Sequence, residues 1–117
     1  MKNYLAIYIG TEESMAKARW LSLSDDERRA REEAGMKAWG EWARANAAAI
    51  VDGGTPLGKT KAASREGVSD IRNVMAGYTI VRAESHEAAA KMFENHPHFA
   101  IFPGDSVEVM ECLPLPG

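Results

Sequence analysis

Tyr4-Leu5-Ala6-Ile7-Tyr8-Ile9 is the stretch on which the reading of the fold turns. A strand sends successive side chains to opposite faces, so Leu5, Ile7 and Ile9 share one side and Tyr4, Ala6 and Tyr8 the other. Neither side carries a charge. Both faces of the sheet that this strand joins therefore need covering, and the rest of the chain can be searched for what covers them.

Gly10 ends the strand, and Thr11 to Trp20 predicts a short helix carrying Met15, Ala18 and Trp20. A longer helix begins after Ser24-Asp25-Asp26-Glu27, which has the spacing of a capping box. Its acidic first turn suits the positive end of the helix dipole. Glu27–Arg31, Arg28–Glu32 and Arg29–Glu33 fall four apart, as on a solvated face. Met36, Trp39, Ala43, Ala47 and Ile50 form the expected buried stripe, with Trp42 beside it. Gly35 and Gly40, unfavourable inside a helix, point to close packing.

Val51-Asp52-Gly53-Gly54 leads out of that helix into a strand or turn. Lys59 to Ser64 alternates weakly, and Arg65-Glu66-Gly67 reads as a hairpin turn. Gly77 to Arg82 is the next clear strand. Ser85 caps a second helix bearing Ala89, Met92 and Phe93, which Pro97 is expected to close. Ser106 to Cys112 is the last strand, with Cys112 expected to pack within it, and residues 113–117 form an extended tail. The order strand, helix, strands, helix, strand predicts one α+β domain over 1–117. Its form is a ferredoxin-like antiparallel sheet with two main helices on one face. Two helices cover only one face, and the face of Tyr4 and Tyr8 is then bare in a single chain. Pairing two sheets face to face, in a homodimer closed as an α+β barrel, would cover it.

At 117 residues, with 45% hydrophobic and 26% charged, the composition excludes a disordered chain or a coiled coil. Fourteen Lys and Arg against 17 Asp and Glu leave no positive surplus for binding nucleic acid. No apolar run approaches the ~20 residues of a membrane span, and no signal-like segment opens the chain. With a single cysteine, the expected compartment is the cytoplasm.

Lys2-Asn3-Tyr4-Leu5-Ala6-Ile7-Tyr8, Val51-Asp52-Gly53-Gly54, Ala76-Gly77-Tyr78-Thr79-Ile80, Ser85-His86-Glu87-Ala88-Ala89, His96-Pro97 and Ser106-Val107-Glu108-Val109 together resemble a YCII-related domain. The resemblance implies a ferredoxin-like subunit that dimerises into an α+β barrel with pockets between sheet and helices. It also implies a kinship with lyases that act on small aromatic acids or halogenated phenols through a His–Asp pair. The chain departs from that pattern in three places. No histidine precedes His86, His96-Pro97 stands where the enzyme-like branch has Asp-Pro, and Ser69-Asp70-Ile71-Arg72-Asn73 keeps only the Asp of an Asp-Gly-Pro-Phe motif.

Gly53-Gly54-Thr55-Pro56-Leu57-Gly58-Lys59-Thr60 matches G-x-x-x-x-G-K-[ST]. A phosphate-binding loop must open an apolar-faced helix, and Lys61 to Glu66 offers none, so the match reads as a Gly-rich turn. His86, His96 and His98 lie in one stretch without a second His or Cys group, which implies no metal site and no cofactor. His96 and Asp52 are the candidate acid/base residues, Asp52 being equally readable as a turn aspartate. Tyr8, Trp39 and His98 are the candidate ligand-binding residues, with Trp39 and Trp42 also readable as core. His96 and His98 otherwise read as charges at a helix C-terminus. The basic residues Lys59, Lys61, Arg65 and Arg72 read as a solvated hairpin.

Three functional readings follow from these residues. One is a small-molecule-binding domain with cofactor-free lyase-type chemistry on an aromatic or acidic metabolite. The alternative is a non-catalytic ligand-binding or assembly module, in which Tyr4, Tyr8 and the Leu-Pro-Leu-Pro tail serve the interface. The third is kinship with cofactor-free monooxygenase or haem-binding barrels.

Overall fold

In the computed structural model, which describes residues 1–116, strand β1 (Lys2–Ile9) is one of two inner strands of a four-stranded sheet. Its neighbours are β5 (Met75–Ala83) and β6 (Ser106–Glu111), and β2 (Ile50–Asp52) lies beyond β5. All pairings are antiparallel, in the order β2-β5-β1-β6. This is the ferredoxin-like arrangement, with helix α2 (Asp25–Ala45) crossing between β1 and β2 and helices α3 (His86–Lys91) and α4 (Pro97–Ala100) between β5 and β6. A short helix α1 (Glu12–Lys17) and a 3-10 turn (Trp20–Ser22) precede α2.

Strands β3 (Thr60–Ser64) and β4 (Gly67–Ile71) form a separate hairpin turning at Arg65-Glu66, and every residue of β4 is exposed. Because Thr60 opens a strand, no helix follows the Gly-rich segment. The phosphate-loop match is a turn, as its context predicts. Among the described residues no helix is long and apolar enough to cross a membrane. The tail beyond β6 is irregular, with Leu113 and Leu115 exposed; Gly117 lies outside the described residues.

Local signals set α2. Ser24 Oγ accepts from Glu27 N–H, and the Glu27 carboxylate accepts in return from Ser24 N–H. Gly35 is buried against Phe102, where a Cβ would stand 2.5 Å from ring atom Cζ. Gly40 is not tight, for its nearest neighbour is the end of Arg44 at 3.6 Å. The inward stripe also differs from the expected one. Met36 is 65% exposed and Ala47 lies beyond the helix, whereas Trp39 and Trp42 both pack on the core. Trp42 faces in because its indole N–H donates to the Met92 carbonyl at 2.8 Å.

The expectation that Tyr4 and Tyr8 would lie on the bare face is overturned. They are 2% and 3% exposed and form the helix-covered core with Ala6, Val81, Ala83, Ala89 and Phe93. The small residues Ala6 and Ala89 leave room for the helices to approach, and the two rings fill the space beside them. Each buried ring contributes on the order of 2 kcal/mol. The other face carries Leu5, Ile7 and Ile80, half-buried, and Met110, exposed, with Leu5 in register with both Ile80 and Met110.

Two further expectations are corrected. Helix α3 ends before Pro97, and Asn95 adopts a left-handed φ of 56° that breaks the chain. His96 then caps a new turn with Pro97 in its first position. The histidine pair therefore opens α4 rather than closing α3. Cys112 lies just past β6 and is exposed rather than packed.

Candidate functional site

Between the helix-covered face of the sheet and α2 lies a cavity of about 400 Å³. Tyr8 from β1 and Gly77 and Tyr78 from β5 line it on the sheet side, and Met36 and Trp39 on the α2 side. His98 and Phe102 close one end, and the Gly53–Pro56 segment forms the rim. That rim is held against β5 by a Pro56–Gly77 bridge and by Tyr78 N–H donating to the Thr55 carbonyl at 3.4 Å. Gly54 permits the approach with a φ of +73° that other residues rarely adopt.

Few polar groups reach this apolar space, and their bonding fixes their roles. Tyr8 Oη lies 2.7 Å from Thr79 Oγ1, which donates to the Gly53 carbonyl at 3.2 Å. A carbonyl only accepts, so the Thr79 proton is committed there and the Tyr8 hydroxyl donates to Thr79. The Tyr8 oxygen keeps a lone pair for another donor. Burial pushes the Tyr8 phenol above its usual pKa, and the bond with Thr79 offsets part of that. It remains a neutral phenol at pH 7.

His98 Nε2 lies 2.7 Å from the Ile9 carbonyl and must donate to it. Burial lowers the His98 pKa, against the opposing effects of the Ile9 bond and the Asp105 charge. The neutral ring then holds its proton on Nε2 and leaves Nδ1 as an unprotonated lone pair. The only buried, unpartnered side-chain nitrogen or oxygen among the described residues is His96 Nε2. His98 Nδ1, which has no hydrogen bond either, is accordingly not sealed off.

His96 itself is fully buried behind the cavity wall. Its Nδ1 accepts from His98 N–H at 3.0 Å, so the neutral ring carries its proton on the unpartnered Nε2. The rings of Trp39, Trp42, Tyr8 and Phe93 surround it, with centroids at 4.5, 4.7, 5.2 and 5.7 Å. Burial, reinforced by the charge of His98, pulls the His96 pKa down to about 4.

Tyr8, Trp39 and His98 thus line one cavity, while the two candidate acid/base residues do not. His96 stands behind the wall. Asp52 is exposed outside the rim, where Oδ1 accepts from Gly54 N–H at 2.8 Å and Oδ2 from the Tyr78 hydroxyl at 3.4 Å. It shapes the turn that carries the rim. Sequence reasoning missed Phe102, Met36 and the Gly53–Pro56 rim as lining. The Gly53-Gly54 pair signalled a turn, but its contact with β5 is long-range and leaves no local pattern. Among the described residues no group of three or more His, Cys, Asp or Glu side chains is placed to hold a metal ion.

No family model matches the chain, and no curated protein matches it. Among solved structures it is similar to a 5-chloro-2-hydroxyhydroquinone dehydrochlorinase from Burkholderia phenoliruptrix, in complex with 2,5-dihydroxybenzoquinone. The TM-score is 0.53 at 17% identity, over 92% of this chain and 89% of that one. The likeness is one of fold. It supports the ferredoxin-like α+β arrangement that the resemblance to YCII-related domains implies.

Proposed function

We propose that the cavity binds a small planar ring bearing hydroxyl or oxo groups and that the chain acts on it by cofactor-free acid/base chemistry. The observation that carries this reading is His98. It is a neutral imidazole held in one tautomer by a main-chain carbonyl, with Nδ1 unprotonated, and its ring lines the aromatic-walled cavity with its centroid 5.3 Å from that of Tyr8. In an elimination from the keto tautomer of the ring, whose leaving group sits on a tetrahedral carbon, His98 takes the proton of a ring hydroxyl. The O–H pair becomes the C=O bond, the ring double bond shifts toward that carbon, and the leaving group departs with its bonding pair as the anion. Tyr8 orients the ring by accepting from a second hydroxyl. His98 takes the base role expected of His96, and Asp52 keeps a part only in shaping the rim. The ligand carried by the similar dehydrochlorinase supports the ring-like ligand class.

Titration calorimetry with 2,5-dihydroxybenzoquinone tests the reading. One molecule should bind per chain, and His98→Ala should weaken binding at least ~10-fold, the scale of one charge-assisted hydrogen bond. No binding by the wild-type protein, or equal binding by His98→Ala, would refute it.

A second copy is the proposed partner of the Leu5, Ile7, Ile80 and Met110 cluster, an apolar patch on the sheet face bordered by Glu108 and Arg82, since apolar surface rimmed by charged residues marks an interface. Light scattering should then give about twice the 12.8 kDa chain mass, and Ile7→Lys should halve it. A monomeric wild type removes this partner and leaves the cavity reading untouched.

A further inference from the structure

We propose that His96 is the positioning residue of the cavity: its bare Nδ1 clamps the His98 main chain, sets where the His98 ring stands, and does so only while uncharged. This rests on His98 being the functional imidazole. Three bonds locate His98. Its N–H donates to His96 Nδ1 at 3.0 Å, its carbonyl accepts from Gly104 N–H at 2.9 Å, and its Nε2 donates to the Ile9 carbonyl at 2.7 Å. Two of these partners are main chain. The third is the only one that can change its state.

His96 meets two demands that a common cap cannot meet together. Asn, Asp or Ser would accept from the same N–H. None would fill the space enclosed by Tyr8, Trp39, Trp42 and Phe93, and a void there would loosen the wall that backs the cavity. A phenyl ring would fill the space and accept nothing. Imidazole does both, at the cost of leaving Nε2–H unpartnered.

Charging the ring removes the clamp, because a protonated Nδ1 sets a second donor against the His98 N–H. The titratable groups facing His96 are Tyr8 from β1 and His98 from its own segment, while α2 presents only Trp39 and Trp42. No carboxylate is among the groups that act on it, so nothing there compensates an imidazolium.

Two variants separate the clamp from simple packing. His96→Asn keeps an acceptor that never ionises, and His96→Phe keeps the ring and loses the acceptor. One readout is ligand-free: long-range ¹H–¹⁵N NMR of the His98 ring nitrogens from pH 7 to 3.5, a range that spans the charging of His96. The other is affinity for 2,5-dihydroxybenzoquinone over the same range. All proteins share the probe's own titration, so differences between them report the protein.

At pH 7, His96→Asn should keep the Nε2–H tautomer of His98 while binding the probe more weakly than wild type, because the void it leaves loosens the wall. His96→Phe should show exchange between tautomers and bind about fivefold more weakly, the scale of one lost cap. In the wild-type protein the His98 signals should move as His96 charges. In His96→Asn that component should be absent. Unchanged His98 signals in His96→Phe, or identical acid titrations of His98 in wild type and His96→Asn, would overturn the proposal. The second comparison decides even where His96→Phe does not fold. Should the wild-type protein fail to bind the probe, the ligand reading falls and the NMR comparison still tests the clamp.

Discussion

Gly53 and Gly54 are neighbours in an exposed turn, yet alanine at the two positions should have very different effects. At Gly54 the backbone φ is +73°, where a Cβ costs ~1–2 kcal/mol. The added atom would also stand 2.6 Å from the carbonyl carbon of Tyr78, a main-chain group that cannot swing aside. The rim must therefore lift from β5. Three hydrogen bonds loosen with it: Gly54 N–H to Asp52 at 2.8 Å, Thr79 Oγ1 to the Gly53 carbonyl at 3.2 Å, and Tyr78 N–H to the Thr55 carbonyl at 3.4 Å. At about 1 kcal/mol each, partly replaced by water, they bring the expected loss to ~3–4 kcal/mol. At Gly53 nothing lies within 4 Å of the added Cβ and φ is not positive, so alanine there should change stability by less than ~0.5 kcal/mol. Urea unfolding at pH 7 measures both. Gly54→Ala should also weaken quinone binding, because the Tyr8–Thr79 chain loses its terminal acceptor. Stabilities of the two variants within 1 kcal/mol of each other would refute the account of the rim.

Acid should destabilise the protein through its buried imidazoles. His96 falls from the usual 6.5 to about 4 in the folded chain, so between those values the unfolded chain binds more protons. The stabilisation is present above pH 6.5 and is lost as pH falls toward 4, by ~3 kcal/mol for a shift of this size. His98, also lowered, adds in the same direction. Urea unfolding from pH 7 to 4.5 should show a steeper decline for wild type than for His96→Asn, and parallel declines would contradict the burial of a neutral His96. In α2, Gly35→Ala drives a methyl group against the edge of Phe102, a cavity wall packed on Trp39 with ring centroids 6.2 Å apart. The ring can move where main chain cannot, so the fold should survive with a loss of ~1–3 kcal/mol and weaker probe binding. Gly40→Ala, whose new methyl meets only Arg44, should instead stabilise by ~0.5–1 kcal/mol. Equal thermal stability of these two variants would remove the argument for close packing at Gly35.

What could be read from the sequence divides along the range of the interactions involved. The Ser24–Glu27 box, the Ser85 cap and the Arg65-Glu66 turn each depend on a few adjacent residues, and each lies where its pattern places it. The element order sufficed for the ferredoxin-like sheet. The choice of covered face was hidden because Tyr4-Leu5-Ala6-Ile7-Tyr8-Ile9 is apolar on both sides. Only distant partners, Trp39 and Phe93 against Tyr8 among them, decide which side the helices take. His96-Pro97-His98 marks the same boundary at the level of chemistry. Residue type and spacing place two imidazoles at the cavity, but the work of an imidazole follows from what its two nitrogens meet. A main-chain N–H on Nδ1 and an aromatic box around Nε2 make His96 a buried acceptor. A main-chain carbonyl on Nε2 leaves the other nitrogen of His98 as an unprotonated lone pair, the feature on which its proposed role as a base rests. Asn95, left-handed, and Pro97, starting a new turn, are what turn the two rings to different partners. The proposed base and its proposed clamp are therefore the same residue type two positions apart, distinguished by backbone geometry and not by composition.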